Sequence, residues 1–85
     1  MCGIIGINSS RPVSSTIINS LKKLEYRGYD SAGIATLSKN EINEVKSEGR
    51  VDNLENNLLV QKMEGTIGIG HVRWATHGLP NSINA

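Results

Sequence analysis

The stretch Thr66-Ile67-Gly68-Ile69-Gly70-His71-Val72-Arg73-Trp74 alternates small with β-branched residues, and this period of two is the tightest constraint on the fold. Side chains of a strand leave alternate faces, so the run predicts a strand that delivers the polar cluster from Arg73 to Gly78 to its far end. A second apolar run, residues 3–7, is short, rich in isoleucine and bounded by Asn8, Ser9, Ser10 and Pro12, which predicts a buried strand.

Between these two runs the period changes. Ile17, Ile18, Leu21 and Leu24 follow helical spacing, with Lys22, Lys23 and Glu25 turned outward, Ser14 or Ser15 as cap and Gly28 as stop. Residues 32–37 read as a strand, Lys39-Asn40 as a hairpin turn, and residues 41–46 as a half-exposed return strand. Asp52 and Glu55 have capping-box spacing, and Val51, Leu54, Leu58 and Met63 mark the buried stripe of a second helix closed by a turn at Glu64-Gly65. Strand, helix, hairpin, helix, strand packs most simply as helices laid on an antiparallel or mixed sheet, an α+β arrangement. Eighty-five residues allow at most one domain, below the usual size of roughly 100–200 residues, and 38% apolar content without phenylalanine permits only a modest core. With nothing after the last strand to cover its other side, the expectation is the beginning of a larger domain.

Nine basic and eight acidic residues, with no block of one sign, give no electrostatic reason to expect nucleic acid or membrane partners. One cysteine forms no internal disulfide, and no apolar run has signal-peptide or membrane-spanning character, so the expected location is the cytoplasm.

That cysteine, Cys2, directly follows Met1. Removal of Met1 by an aminopeptidase would place a thiol and a free α-amine on one residue. A thiol titrates near 8.5 and an α-amine near 7.7–8.0, values matched for proton exchange, and an N-terminal amine is a known base for such nucleophiles. Gly3 leaves room for a substrate. Position alone also fits a small buried cysteine that happens to be second.

Two downstream blocks bear on that choice. Residues 24–35, Leu-Glu-Tyr-Arg-Gly-Tyr-Asp-Ser-Ala-Gly-Ile-Ala, and residues 70–78, Gly-His-Val-Arg-Trp-Ala-Thr-His-Gly, together with Met-Cys-Gly-Ile at the start, resemble the signatures of class II glutamine amidotransferases, a family of N-terminal nucleophile hydrolases. The blocks occur in the family's order, and the resemblance runs from Met1 to Ala85, weakest between Ser38 and Glu64. Within the family, purine-pathway amidophosphoribosyltransferases typically read His-Arg-Gly-Gln-Asp at the first block and lack Trp-Ala-Thr-His at the second. Tyr26, Tyr29 and Trp74 instead resemble the branch that passes ammonia to fructose 6-phosphate to make glucosamine 6-phosphate.

The resemblance implies the N-terminal part of an αββα sandwich, incomplete in residues 1–85, with the rest of the glutaminase domain and an isomerase half absent. It implies glutamine and fructose 6-phosphate as substrates and a homodimeric full-length protein. Cys2 matches the nucleophile that forms a glutamyl thioester and releases ammonia. Arg73 matches the arginine pairing with the α-carboxylate of glutamine, a task suited to the planar guanidinium fork. Trp74, Ala75, Thr76, His77 and Gly78 match the loop that closes over glutamine, where Thr76 and His77 contact the amino acid and Trp74 helps gate the ammonia path. Arg27 and Gly28 match a loop beside the nucleophile, where a guanidinium could orient the Cys2 terminus.

Each has a plainer reading: Arg73 a solvated charge, Trp74 a core aromatic, Arg27 a helix C-terminal cation and Gly28 a left-handed helix stop. Asp30 fits a turn cap or a pair with Arg27. His71 and His77 suggest a metal site or a Cys-His pair, but zinc needs three or four ligands at recognised spacing, so neither a metal nor an organic cofactor is expected. His71 fits a half-exposed core histidine. The family's Asn-Gly oxyanion pair and its amine-binding Asp lie beyond the second block, and losing one oxyanion donor costs about 10²- to 10³-fold in rate. These 85 residues alone are therefore expected to be inactive, with a truncated, non-catalytic polypeptide or another class II amidotransferase as the alternatives.

Overall fold

The computed structural model describes residues 3–24 and 30–73. Its elements are β1 (Gly3–Asn8), α1 (Ser14–Leu24), β2 (Ser31–Ser38), β3 (Glu41–Glu48), α2 (Asp52–Glu55), α3 (Leu58–Gln61) and β4 (Ile67–Arg73). The strands form one antiparallel sheet in the order β1-β4-β2-β3. The last strand in sequence thus lies between the first two, and each strand pair is antiparallel, which resolves the antiparallel-or-mixed alternative.

The alternation in β4 explains how the sheet accepts its helix. Gly68, Gly70 and Val72 are buried on one face, whereas Ile67 and Ile69 are exposed on the other. A Cβ at Gly68 would lie 2.8 Å from Ile17 Cδ1, and one at Gly70 would run into Ile17 Cγ2 and meet Leu21 Cδ1 at 3.1 Å. The missing side chains let α1 sit directly on the strand. Its buried face, Ile17, Ile18 and Leu21, joins Val13, Ile34, Val51, Leu54, Val60 and Val72 in the core. Each large aliphatic side chain buried there contributes about 1.5–3 kcal/mol. Helix α1 begins at Ser14, so Val13 and not Ser14 or Ser15 stands before its first residue: the Val13 carbonyl accepts from Ile17 N–H at 2.9 Å, while Val13 N–H donates to the Gly65 carbonyl at 3.0 Å. That second bond ties the helix start to the segment entering β4. The expected stop at Gly28 lies outside the described residues.

Lys39 and Asn40 both have positive φ, 51° and 66°, the geometry of a two-residue type I′ hairpin turn, as the sequence predicts. The second helix differs from expectation. It is two short helices, broken at Asn57, whose extended backbone (ψ 125°) and side-chain oxygen, accepting from Leu59 N–H at 2.8 Å, start α3 afresh. The restart shifts the helical phase, so Val60 is buried and Leu58, predicted in the stripe, is 67% exposed. Nor is there a capping box: Val51 holds the cap position without a side-chain bond, and the carboxylates of Asp52 and Glu55 turn to Lys22 of α1.

The first strand is also not buried on both sides. Ile5 and Ile7 pack on the core, but Ile4 is 79% exposed. The register shows why. Ile4 pairs with His71, Gly6 with Ile69 and Asn8 with Ile67, all on the sheet face away from α1. An antiparallel sheet with helices on one face, as one half of an αββα sandwich, is the N-terminal part of the fold expected from the motifs.

Candidate functional site

Arg73 closes β4 at the end of the sheet where β1 and β2 begin. Gly3 pairs with Val72, and Ser31 pairs with both Arg73 of β4 and Glu48 of β3. Two backbone bonds lock this end: Asp30 N–H donates to the Arg73 carbonyl at 2.8 Å, and Gly49 N–H donates to the Asp30 carbonyl at 2.7 Å. Gly49 adopts φ +86°, so the chain turns sharply out of β3 there. The guanidinium is therefore carried on a backbone held from the β2 side, and the side chain itself is half-buried.

Two residues back on the same face, His71 is flanked by Ile4 on β1 and Gly33 on β2. A Cβ at residue 33 would lie 2.5 Å from His71 Nε2, so the imidazole occupies the space that any larger residue at 33 would need. Burial pushes the His71 pKa below its ordinary value; Lys46 and Arg73 push the same way, and Glu44 opposes them. His71 is thus half-exposed, as the sequence reading expects, but it stands on the sheet face away from the core.

Of the site residues that the family resemblance implies, Arg73 alone falls among the described residues, at the strand end expected for it. Cys2, Arg27, Gly28, Trp74, Thr76 and His77 lie outside the described residues. Asp30 engages its neighbours through its backbone, and the sequence alternative of a pair with Arg27 involves a residue outside the described set. Among the described residues no group of three His, Cys, Asp or Glu assembles as a metal site, and no helix is long and apolar enough to cross a membrane. One surface groove among the described residues lies between β3 and α3, lined by Ile42, Val45, Leu59 and Met63, and Arg73 is not part of it.

Sequence reasoning missed Ser31. It is 0% exposed, and its Oγ has no hydrogen-bond partner among the described residues. Nothing in the sequence distinguishes it from any serine at a strand border; its burial comes from the packing at this end of the sheet, where residues 31–34 are all buried.

Comparison with known proteins bears on this end of the sheet. No protein-family model matches the chain. Over all 85 residues the chain is 54% identical to the glutamine--fructose-6-phosphate aminotransferase [isomerizing] of Mesorhizobium japonicum, 53% to that of Bradyrhizobium diazoefficiens and 54% to that of Clostridium acetobutylicum. It spans about 14% of the length of these relatives. Among solved structures, it resembles an allosteric regulatory enzyme of purine biosynthesis with a TM-score of 0.77 and 28% identity, covering 89% of this chain and 16% of that one. The glutamine phosphoribosylpyrophosphate amidotransferase of B. subtilis also superposes with a TM-score of 0.77, at 27% identity over 91% of this chain and 17% of its own.

Proposed function

Because the chain belongs to the glutamine--fructose-6-phosphate aminotransferase family, aligning end to end with the N-terminal part of its relatives, we propose that it forms the nucleophile-bearing part of a glutaminase site. The ammonia released there goes to fructose 6-phosphate to make glucosamine 6-phosphate. The single observation that carries this reading is the register at the sheet end: the start of β1, the strand that follows Cys2 in sequence, pairs beside Arg73 at the end of β4. This register supports a nucleophile and a carboxylate clamp that share one end of the sheet.

In this reading, loss of Met1 frees the amine of Cys2. The thiol gives its proton to that amine, directly or through water, and the sulfur attacks the side-chain amide carbon of glutamine. The tetrahedral intermediate collapses as the C–N bond breaks, the amine returns the proton, and ammonia leaves a glutamyl thioester. Water then cleaves the thioester to glutamate and restores the thiol. Arg73 holds the α-carboxylate through a bidentate pair, Thr76 and His77 contact the amino acid, and Trp74 belongs to the covering loop. Arg27 and Gly28 support the nucleophile. The acceptor half, and the oxyanion donors, belong to the protein beyond this stretch, and the working protein is a cytoplasmic homodimer. Identity of 54% to the sugar-phosphate enzymes against 28% to the purine enzyme supports fructose 6-phosphate as acceptor.

The test is covalent. The protein carrying residues 1–85 at its N-terminus is treated with a glutamine-like electrophile and the adduct mapped by mass spectrometry. The expected adduct is on residue 2 of chains lacking Met1, and Cys2→Ala abolishes it. Labelling at another residue, or full labelling of chains that keep Met1, overturns the reading.

A further inference from the structure

Ser31 and Arg73 are cross-strand partners, so their side chains leave the sheet on the same face as immediate neighbours. The serine is wholly enclosed and its hydroxyl lacks a partner among the described residues. Buried hydroxyls normally find a hydrogen bond, because an unpaired one forfeits its hydration without return.

Thr36 shows the same lack on the same strand, yet it has another reason to be there. It faces α1, and its methyl Cγ2 would lie 3.0 Å from a Cβ at Gly68, so the side chain fills the core beside a glycine. Ser31 has no methyl to pack. Relative to alanine it adds only a hydroxyl, and it places that group beside a guanidinium. A cation and a neutral donor side by side are the elements of carboxylate recognition. Glu48, exposed and next in the same row on β3, repels an anion from that side, so a carboxylate sits over the adjoining Ser31 and Arg73, turned away from β3.

We propose that Ser31 is a second carboxylate-binding residue of the glutamine site, its Oγ–H donating to one oxygen of the α-carboxylate that Arg73 clamps. This rests on the glutaminase reading above.

In the protein carrying residues 1–85, Ser31→Ala raises the KM for glutamine about tenfold, the scale of one hydrogen bond to a charged group. The kcat stays within about twofold, because the bond is the same in ground and transition states. The melting temperature holds or rises, since a partnerless hydroxyl has been removed. Ser31→Cys, similar in shape and a weaker donor, falls between, and carries the test if the alanine variant expresses poorly. An unchanged KM in an active Ser31→Ala protein overturns the Ser31 assignment alone, as does a fall in kcat at constant KM. A clear loss of melting temperature also overturns it, because the hydroxyl would then be holding the fold. A parent protein that neither releases ammonia from glutamine nor labels at residue 2 removes the glutaminase reading and this assignment together.

Discussion

The imidazole of His71 and the bare backbone of Gly33 form one unit: the ring lies where a side chain at 33 would otherwise be. Burial there, with Lys46 and Arg73 adding to it against Glu44, disfavours the charged ring, so its folded pKa lies below the ordinary 6.5. Between that lowered value and 6.5 the unfolded chain binds more protons than the folded one, and stability therefore rises with pH in this window. His71 leaves stability unaffected above the window, and lowers it as pH falls from 6.5 through the folded value. Denaturant unfolding followed from about pH 7.5 to about pH 5 should show this decline. His71→Gln flattens that segment of the profile; an unchanged slope would mean another group carries it. The strand position of His71 was legible from alternation, but its partnership with Gly33 was not, because the two residues are far apart in sequence and meet only through the β2–β4 register.

At the level of elements, the sheet discriminates between its glycines. An alanine at Gly70 would clash with Ile17 on α1, whereas the space at Gly6 is ordinary, with Ile69 Cγ2 at 3.8 Å. Gly70→Ala is expected to cost about 1–3 kcal/mol, the usual penalty of overpacking, and Gly6→Ala within about 0.5 kcal/mol. Equilibrium denaturation of both variants checks the contrast, and equal effects would show that α1 does not rest on β4. Helix α1, the hairpin and the strands were readable because each has a local signal: a helical period, a turn with residues that tolerate positive φ, or alternation. The break between α2 and α3 was not. Val51, Leu54 and Leu58 keep helical spacing on paper, but Asn57 caps a new helix, and Asp52 and Glu55 are drawn to Lys22, with Glu55 receiving the ammonium at 2.7 and 2.8 Å. A tertiary ion pair overrode the local capping pattern. With both partners more than a third exposed, it contributes at most about 1 kcal/mol and serves chiefly to set where α1 meets α2.

For the molecule as a whole, the two faces of the sheet differ. One is sealed by α1, while the other shows Ile4, Ile42, Ile67 and Ile69, each more than 40% exposed. An apolar surface of this kind binds apolar partners or itself. The 85-residue polypeptide is expected to bind a hydrophobic reporter dye and to associate as concentration rises in sedimentation experiments. Ile69→Lys should weaken both effects, with stability changed by only about 0.5 kcal/mol. A dye-silent, monomeric wild type would show that this face is covered. What the sequence by itself determined was the local grammar and the chemistry-bearing blocks: strands from alternation, a helix from its period, and a family from three ordered motifs. What only tertiary structure decided was adjacency: β4 inserted between β1 and β2, Arg73 set against Ser31, and one sheet face left apolar and open. The reason is physical. Periodicity depends on neighbours along the chain, whereas register and burial depend on free energy shared among segments far apart in it, which no short window of residues contains.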